Sequence, residues 1–322
     1  MFTSIIVPSL LGLALLLTGM KVMETALARW AGHKLSFWVA HSTSTPLRGF
    51  AVGTVASALL QSSTAVTVLT IGFVNAGWLS MGRSFGIILG TNVGTCLTTE
   101  LMSLKLHRYG IWFVLIALLG WTYTALRNEM RHTSLTPQQG FMQTLRYASV
   151  ALGGFGLLLV GFQLLQGMGS TLQHNAAFDT LMTRADASPI SGVLVGTVLT
   201  ALVHSSAAVI AICMGLSGAG AITPETGIAI VLGANIGTCF TGLIASLSGG
   251  KGGRFVALTQ LALNSSGALL FFPLIGLLHQ LAVFLAPEDP SAQIAHAQTI
   301  FNVVCSLIAL PIAYLPQWRK MS

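Results

Sequence analysis

Two short clusters of hydroxyl and amide side chains interrupt apolar stretches of this chain, Gln61-Ser62-Ser63-Thr64 and His204-Ser205-Ser206. Such groups are costly to place in an apolar medium without partners, so their density calls for a ligand or a tight hydrogen-bond network. Each cluster sits where a stretch of about thirty apolar residues, 46–77 or 189–220, is broken at its middle. A half-helix beginning there presents unsatisfied N–H groups and the positive end of its dipole, which suits an oxyanion without any arginine. The competing account, small residues that let helices approach closely, is weakened because the cluster occurs twice.

A second paired motif supplies the opposite chemistry. Gly90-Thr91-Asn92-Val93-Gly94-Thr95, followed by Thr98, is matched by Gly233-Ala234-Asn235-Ile236-Gly237-Thr238, followed by Thr241. Two glycines and an asparagine in mid-helix predict local unwinding, and freed carbonyls with Asn and Thr oxygens make a nearly neutral cage for sodium. Thr91, Asn92, Thr95, Thr98, Ala234, Asn235, Thr238 and Thr241 are the candidate sodium ligands, against a small-residue packing face as the alternative. Of eight acidic residues, only Glu24, Glu100 and Glu225 fall in or near apolar spans, toward their ends. A mid-membrane carboxylate for proton coupling is therefore missing, which favours sodium. Glu100 and Glu225 read as solvated helix ends. Asn264-Ser265-Ser266 and Phe301-Asn302 read as isolated interhelical hydrogen-bonding spots.

The elements that must position these groups are duplicated. Residues 46–104 align without a gap on residues 189–247 at an offset of 143, with about 25 identities over roughly 59 positions. Two copies of this size in an apolar chain describe a carrier, with its ligand where the copies meet. The expected fold is all-α and integral to the membrane. It comprises two inverted-topology repeats, 1–140 and 141–285, each with a re-entrant helical hairpin and a broken helix, and a final transmembrane helix with a short tail in 286–322.

Composition agrees. The chain has 322 residues, 53% hydrophobic and only 7% charged, too few charges to clothe a soluble globule. The net charge of +7 comes from scattered residues rather than a run that could track nucleic acid. Cys96, Cys213, Cys239 and Cys305 form no C-x-x-C pair and suggest neither zinc nor disulfides. The first apolar stretch, from Ser4, lacks a basic n-region and reads as a retained helix. Counting full spans at 4–20, 81–104, 109–126, 147–168, 225–247, 255–280 and about 295–315 puts the N-terminus outside and the C-terminus in the cytoplasm. Only Lys105, Arg108 and Arg184 among the basic residues considered then lie outside, as the positive-inside rule requires. A polar linker at 128–140 joins the halves.

An intramembrane hydrolase is disfavoured, because His204 and Ser205 are sequence neighbours, no G-x-S-x-G elbow exists and hydrolysis leaves the duplication unexplained. A passive channel explains the paired motifs less well than a carrier. With Gln61-Ser62-Ser63-Thr64, the two Gly-x-Asn-x-Gly-Thr motifs and Gln298-Thr299-Ile300-Phe301-Asn302-Val303-Val304, the chain resembles the type II sodium/phosphate cotransporters and their bacterial relatives. The resemblance covers nearly the whole chain. It implies a non-enzymatic symporter in a bacterial inner membrane, with inorganic phosphate at Gln61, Ser62, Ser63, Thr64, His204, Ser205 and Ser206, and sodium as co-transported ion without other cofactor. One departure is His204, which stands where the family has a second Gln and is a group able to titrate near neutrality. Some relatives continue into a soluble PhoU-like domain, so the resemblance implies a separate PhoU-like cytoplasmic partner for such regulation here. Arsenate or sulfate as cargo, proton coupling and a homo-oligomeric state stay open at the level of sequence.

Overall fold

A computed structural model describes residues 2–41, 43, 45–129, 139–167, 188–247 and 250–315; most of the expected linker, 130–138, lies outside them. All regular structure among the described residues is helical. Among the described residues six segments are long and apolar enough to cross a membrane: Val7–Gly32, Leu106–Arg127, Gly140–Gln166, Pro224–Leu247, Lys251–Leu285 and Pro290–Tyr314.

The chain folds as two compact units. The first combines residues 1–32 with 105–168, and the second residues 33–104 with 169–322. In the first, helix α1 (Phe2–His41) contributes its part up to Gly32, where the backbone leaves helical geometry at φ 31°, ψ −127°. It lies against α6 (Gln139–Gln166), and Gly19 approaches Gly154 so closely that a Cβ on either would overlap the partner backbone. A 3-10 turn (Leu106–Tyr109) and α5 (Gly110–Glu129) complete this unit, with Phe113 tilted against Phe155 of α6.

The second unit contains both polar clusters and both Gly-x-Asn-x-Gly-Thr motifs. Two short helices, α2 (Pro46–Leu60) and α3 (Ser63–Asn75), precede α4 (Met81–Ser103). In the second copy α7 (Pro189–Val203) and α8 (Ser206–Gly218) precede α9 (Pro224–Leu247). Each first helix starts at a proline, whose fixed φ and missing N–H suit the first helical position. At 15 residues each, α2 and α7 span only about 22 Å, short of a hydrocarbon core of about 30 Å. The remainder is α10 (Lys251–Phe271), a 3-10 turn at Phe272–Leu274 beginning beside Pro273, α11 (Ile275–Leu285), α12 (Pro290–Ala309) and a closing turn, Leu310–Tyr314.

The expected broken helices are not broken. Both α4 and α9 run as continuous helices through their motifs. Their glycines serve close packing instead: a Cβ on Gly86, Gly90 or Gly94 would overlap the carbonyl oxygens of Pro46, Phe50 and Thr54 on α2. Gly233 and Gly237 meet Val193 and Thr197 of α7 in the same way. Recurrence every four residues aligns the glycines on one face, so each helix is laid backbone to backbone on the first arm of its hairpin. Although α4 has the length of a span, its serines, threonines and asparagine keep it out of the apolar class; much of it is buried in protein.

The lipid-compatible surface is built from the other faces. Leu194, Leu202, Leu247, Leu269 and Phe284 are all exposed. Inside, Ile228, Leu232, Phe271, Leu278 and Phe301 form a buried cluster, with Phe271 and Phe301 edge to face at 5.3 Å.

Candidate functional site

Each hairpin breaks at one residue held in the left-handed region. Gln61 has φ 54°, ψ 28° and His204 has φ 58°, ψ 25°, a conformation that costs a non-glycine residue energy and must be held by its surroundings. The hold is the same in both copies. Gln61 Oε1 accepts from Thr98 Oγ1 at 2.6 Å, and His204 Nδ1 lies 3.0 Å from Thr241 Oγ1. Thr98 and Thr241 occupy equivalent places on α4 and α9, so the break residue of each copy is tied to the motif helix of that copy. Histidine can replace glutamine here because either side chain offers a polar atom to the threonine hydroxyl.

The next residue caps the second arm. Ser62 Oγ accepts from Ala65 N at 3.2 Å and Ser205 Oγ from Ala208 N at 3.3 Å. Both have extended backbones, as N-cap residues require. Ser63 and Ser206 open the arms at 7% and 8% exposure, while Thr64 is half-buried and the His204 side chain is exposed. Helices α3 and α8 each pack against both α4 and α9. Each start presents the positive end of its helix dipole and its first-turn amides.

The candidate sodium ligands are placed differently from expectation. With the helices intact, Thr91 Oγ1 donates to Ile88 O at 2.7 Å, Thr95 Oγ1 to Thr91 O at 2.9 Å, and Thr238 Oγ1 to Ala234 O at 3.0 Å. Asn235 Nδ2 likewise donates to Val231 O at 3.0 Å. These groups satisfy one another along their own helices and leave no carbonyls freed by unwinding. Ser57 of α2 joins the first copy, its Oγ 3.1 Å from Thr91 O and 3.3 Å from Thr95 Oγ1.

Asn92 reaches across to α10, donating to Asn264 Oδ1 at 2.7 Å. Asn264 in turn donates to Asn235 O at 2.8 Å, with Cys239 Sγ at 3.4 Å. One buried asparagine therefore bridges the Asn of the first motif to the backbone of the second. On the opposite side Asn302 of α12 approaches Cys96 Sγ at 3.3 Å, and Thr99 Oγ1 donates to Gln298 Oε1 at 2.7 Å. Cys96 and Cys239 are equivalent in the repeat, so α10 serves α9 much as α12 serves α4. The signal in the sequence is Gln260-x-x-x-Asn264 and Gln298-x-x-x-Asn302, a third paired motif in what had read as isolated polar spots. A cavity of about 330 Å³ adjoins Asn92, Asn264 and Asn302, with Thr259, Ser266 and Ser306 also in its lining, but most of its walls, including Phe85, Leu89, Leu263 and Phe301, are apolar and do not suit an oxyanion.

The carboxylates are also more engaged than expected. Glu100 is paired with His296 Nδ1 at 3.0 Å and accepts from Thr299 Oγ1, so it is a partnered group inside the second unit rather than a solvated end. Glu225, half-exposed at the start of α9, lies 2.6 Å from His279 Nδ1.

The duplication is matched by the family comparison, in which the Na+/Pi-cotransporter family model fits twice, over residues 15–167 and 157–310. The chain belongs to the Na+/Pi-cotransporter family. It is 34% identical over 306 residues to the uncharacterized protein YqeW of Bacillus subtilis, covering 93% of this chain and 92% of that one. It is 24% identical over 300 residues to the putative inorganic phosphate export protein YjbB of Escherichia coli, covering 92% of this chain but 52% of the relative, so it spans about half of YjbB. The sheep sodium-dependent phosphate transport protein 2A matches at 34% over 61 residues, 19% of this chain and 10% of that protein. No solved structure matches. Family membership and the apolar helices together make this a multi-pass membrane protein of a transporter family.

Proposed function

We propose that the protein moves inorganic phosphate across the membrane coupled to sodium, by alternating access around the two hairpin tips. The observation that carries this reading is the repeated pair of breaks, Gln61 on Thr98 and His204 on Thr241, each followed by a serine-capped helix that packs on α4 and α9. Phosphate docks on Ser62, Ser63, Thr64, Ser205 and Ser206 and the first-turn amides; sodium is held by neutral oxygens beside it, in a membrane setting where uncharged ligands serve monovalent cations. The hairpins are re-entrant in this reading, because two arms of 15 and 13 residues are too short for two comfortable crossings.

The test is uptake of radiolabelled phosphate into proteoliposomes holding the purified protein, with an inward sodium gradient, a potassium control and a separate proton gradient. Uptake that requires sodium supports the coupled carrier, and uptake with protons alone replaces the coupling ion. Equal uptake of sulfate and arsenate would broaden the cargo to tetrahedral oxyanions. A second reading, net phosphate export, is favoured by the likeness, over 92% of this chain and 52% of the relative, to a protein named as a putative inorganic phosphate exporter. Preloaded vesicles with the sodium gradient reversed separate the two directions.

A further inference from the structure

The two copies differ at one buried polar contact. In the first, Thr99 of α4 fills the space beside Gln298 and donates to its Oε1 at 2.7 Å. In the second the equivalent residue is Gly242 of α9, and the facing glutamine is Gln260 of α10. The missing hydroxyl is not replaced: Gln260 Oε1, on a side chain only 1% exposed, has no hydrogen-bond partner. A second orphan stands beside it. Thr67 of α3, one turn beyond the capped serines, is 1% exposed and its Oγ1 is also without a partner. The position a Cβ on Gly242 would take lies 3.2 Å from Gln260 Oε1 and 3.5 Å from Thr67 Cγ2, so both side chains border the space the glycine leaves, Thr67 with its methyl, which a turn about χ1 exchanges for Oγ1.

Two buried oxygens left without partners, on side chains that border one space, cost free energy unless something occupies that space. Both are neutral and hard, and no carboxylate belongs to the set. That chemistry excludes a divalent cation, which draws on carboxylates, and suits a monovalent ion of sodium's kind. We propose that Thr67 Oγ1 and Gln260 Oε1, around Gly242, bind a sodium ion at a place separate from the Gly-x-Asn-x-Gly-Thr oxygens. The inference rests on the sodium-coupled reading above. It places an ion one helical turn from Ser63, where its charge supports the anion at the start of α3.

The decisive variants are Gly242→Ser, which supplies a hydroxyl like that of Thr99 and fills the space, and Thr67→Val, which removes one oxygen at constant shape. Equilibrium binding of radioactive sodium to the detergent-purified protein is counted without phosphate, alongside the sodium dependence of phosphate uptake. The expected result is one fewer bound sodium per chain in Gly242→Ser. Half-saturating sodium rises about tenfold or more in Thr67→Val, the loss expected for one ligand to a charged group, with the phosphate KM at saturating sodium unmoved. Sodium counts and half-saturation equal to the parent in both variants would mean an ordered water only, and would overturn the site. Should Gly242→Ser fail to fold, Thr67→Val decides alone. Sodium-independent uptake by the parent protein would defeat the coupled-carrier reading, whereas the sodium count judges the site on its own.

Discussion

Replacing Asn264 by alanine removes the bridge between the two motifs. Asn264 is 4% exposed and its amide makes contacts of 2.7 Å with Asn92 Nδ2, 2.8 Å with Asn235 O and 3.4 Å with Cys239 Sγ. Interhelical hydrogen bonds inside membrane proteins contribute about 0.6 kcal/mol on average and up to about 1.7. The two short bonds therefore stabilise by about 1–3 kcal/mol, and Asn92 Nδ2, half-buried, is left without the acceptor it had. A loss of about 2 kcal/mol is the working figure. The assay is reversible unfolding of the purified protein in mixed micelles, for Asn264→Ala, Asn92→Ala and the double variant. Because the two single changes share only the 2.7 Å bond, the cycle should return a coupling of about 0.6–1.7 kcal/mol. Asn264→Leu, which keeps volume while losing both bonds, should remain destabilised. A coupling within about 0.3 kcal/mol of zero, or full stability in the leucine variant, would refute the bridge and assign Asn264 to packing alone.

Gly90→Ala and Gly233→Ala should each lose about 3 kcal/mol or more of stability, because the new methyl meets backbone oxygens of Phe50 and Val193 that cannot turn away. Gly72→Ala, with nothing within 4 Å of its Cβ, is the matched control, and monodisperse yield from size-exclusion chromatography separates them. Since Gln61 and His204 make the same tie to a threonine, His204→Gln should keep phosphate uptake near the parent level and His204→Ala should lower it at least about tenfold; equal loss in both would sever the link between tie and transport. The double change Ser63→Ala and Ser206→Ala should abolish uptake while leaving expression intact, and normal uptake there would remove the hairpin starts from the phosphate site.

The paired helix breaks were legible in the sequence because their signals are local. A proline opens each first arm, a serine caps each second arm, and the alignment of the copies shows that both occur twice. What misled was the glycine content of the two longer motifs. Glycine favours unwinding in isolation, but a glycine every fourth residue also lets one backbone lie on another, and only the position of α2 and α7 decides between these outcomes. The bridging role of Asn264 and the partnering of Glu100 depend on contacts 172 and 196 residues apart in sequence. No periodicity within one helix reports such pairs. The Gln-x-x-x-Asn repetition at 260–264 and 298–302 was readable, yet it relates two helices outside the main alignment.

The backbone contact between α2 and α4, and its counterpart between α7 and α9, constrains how the protein can move. Ordinary side-chain packing allows one helix to slide past another by rotamer changes. Here the carbonyls of Pro46, Phe50 and Thr54 sit against the glycines of α4, and a shift of part of a turn would drive them into Ser84, Ile88 or Asn92, which carry side chains. Each first arm and its motif helix therefore travel as one lever. The joints of any cycle must be sought elsewhere, at the breaks of Gln61 and His204 and in the segments that link one lever to the next.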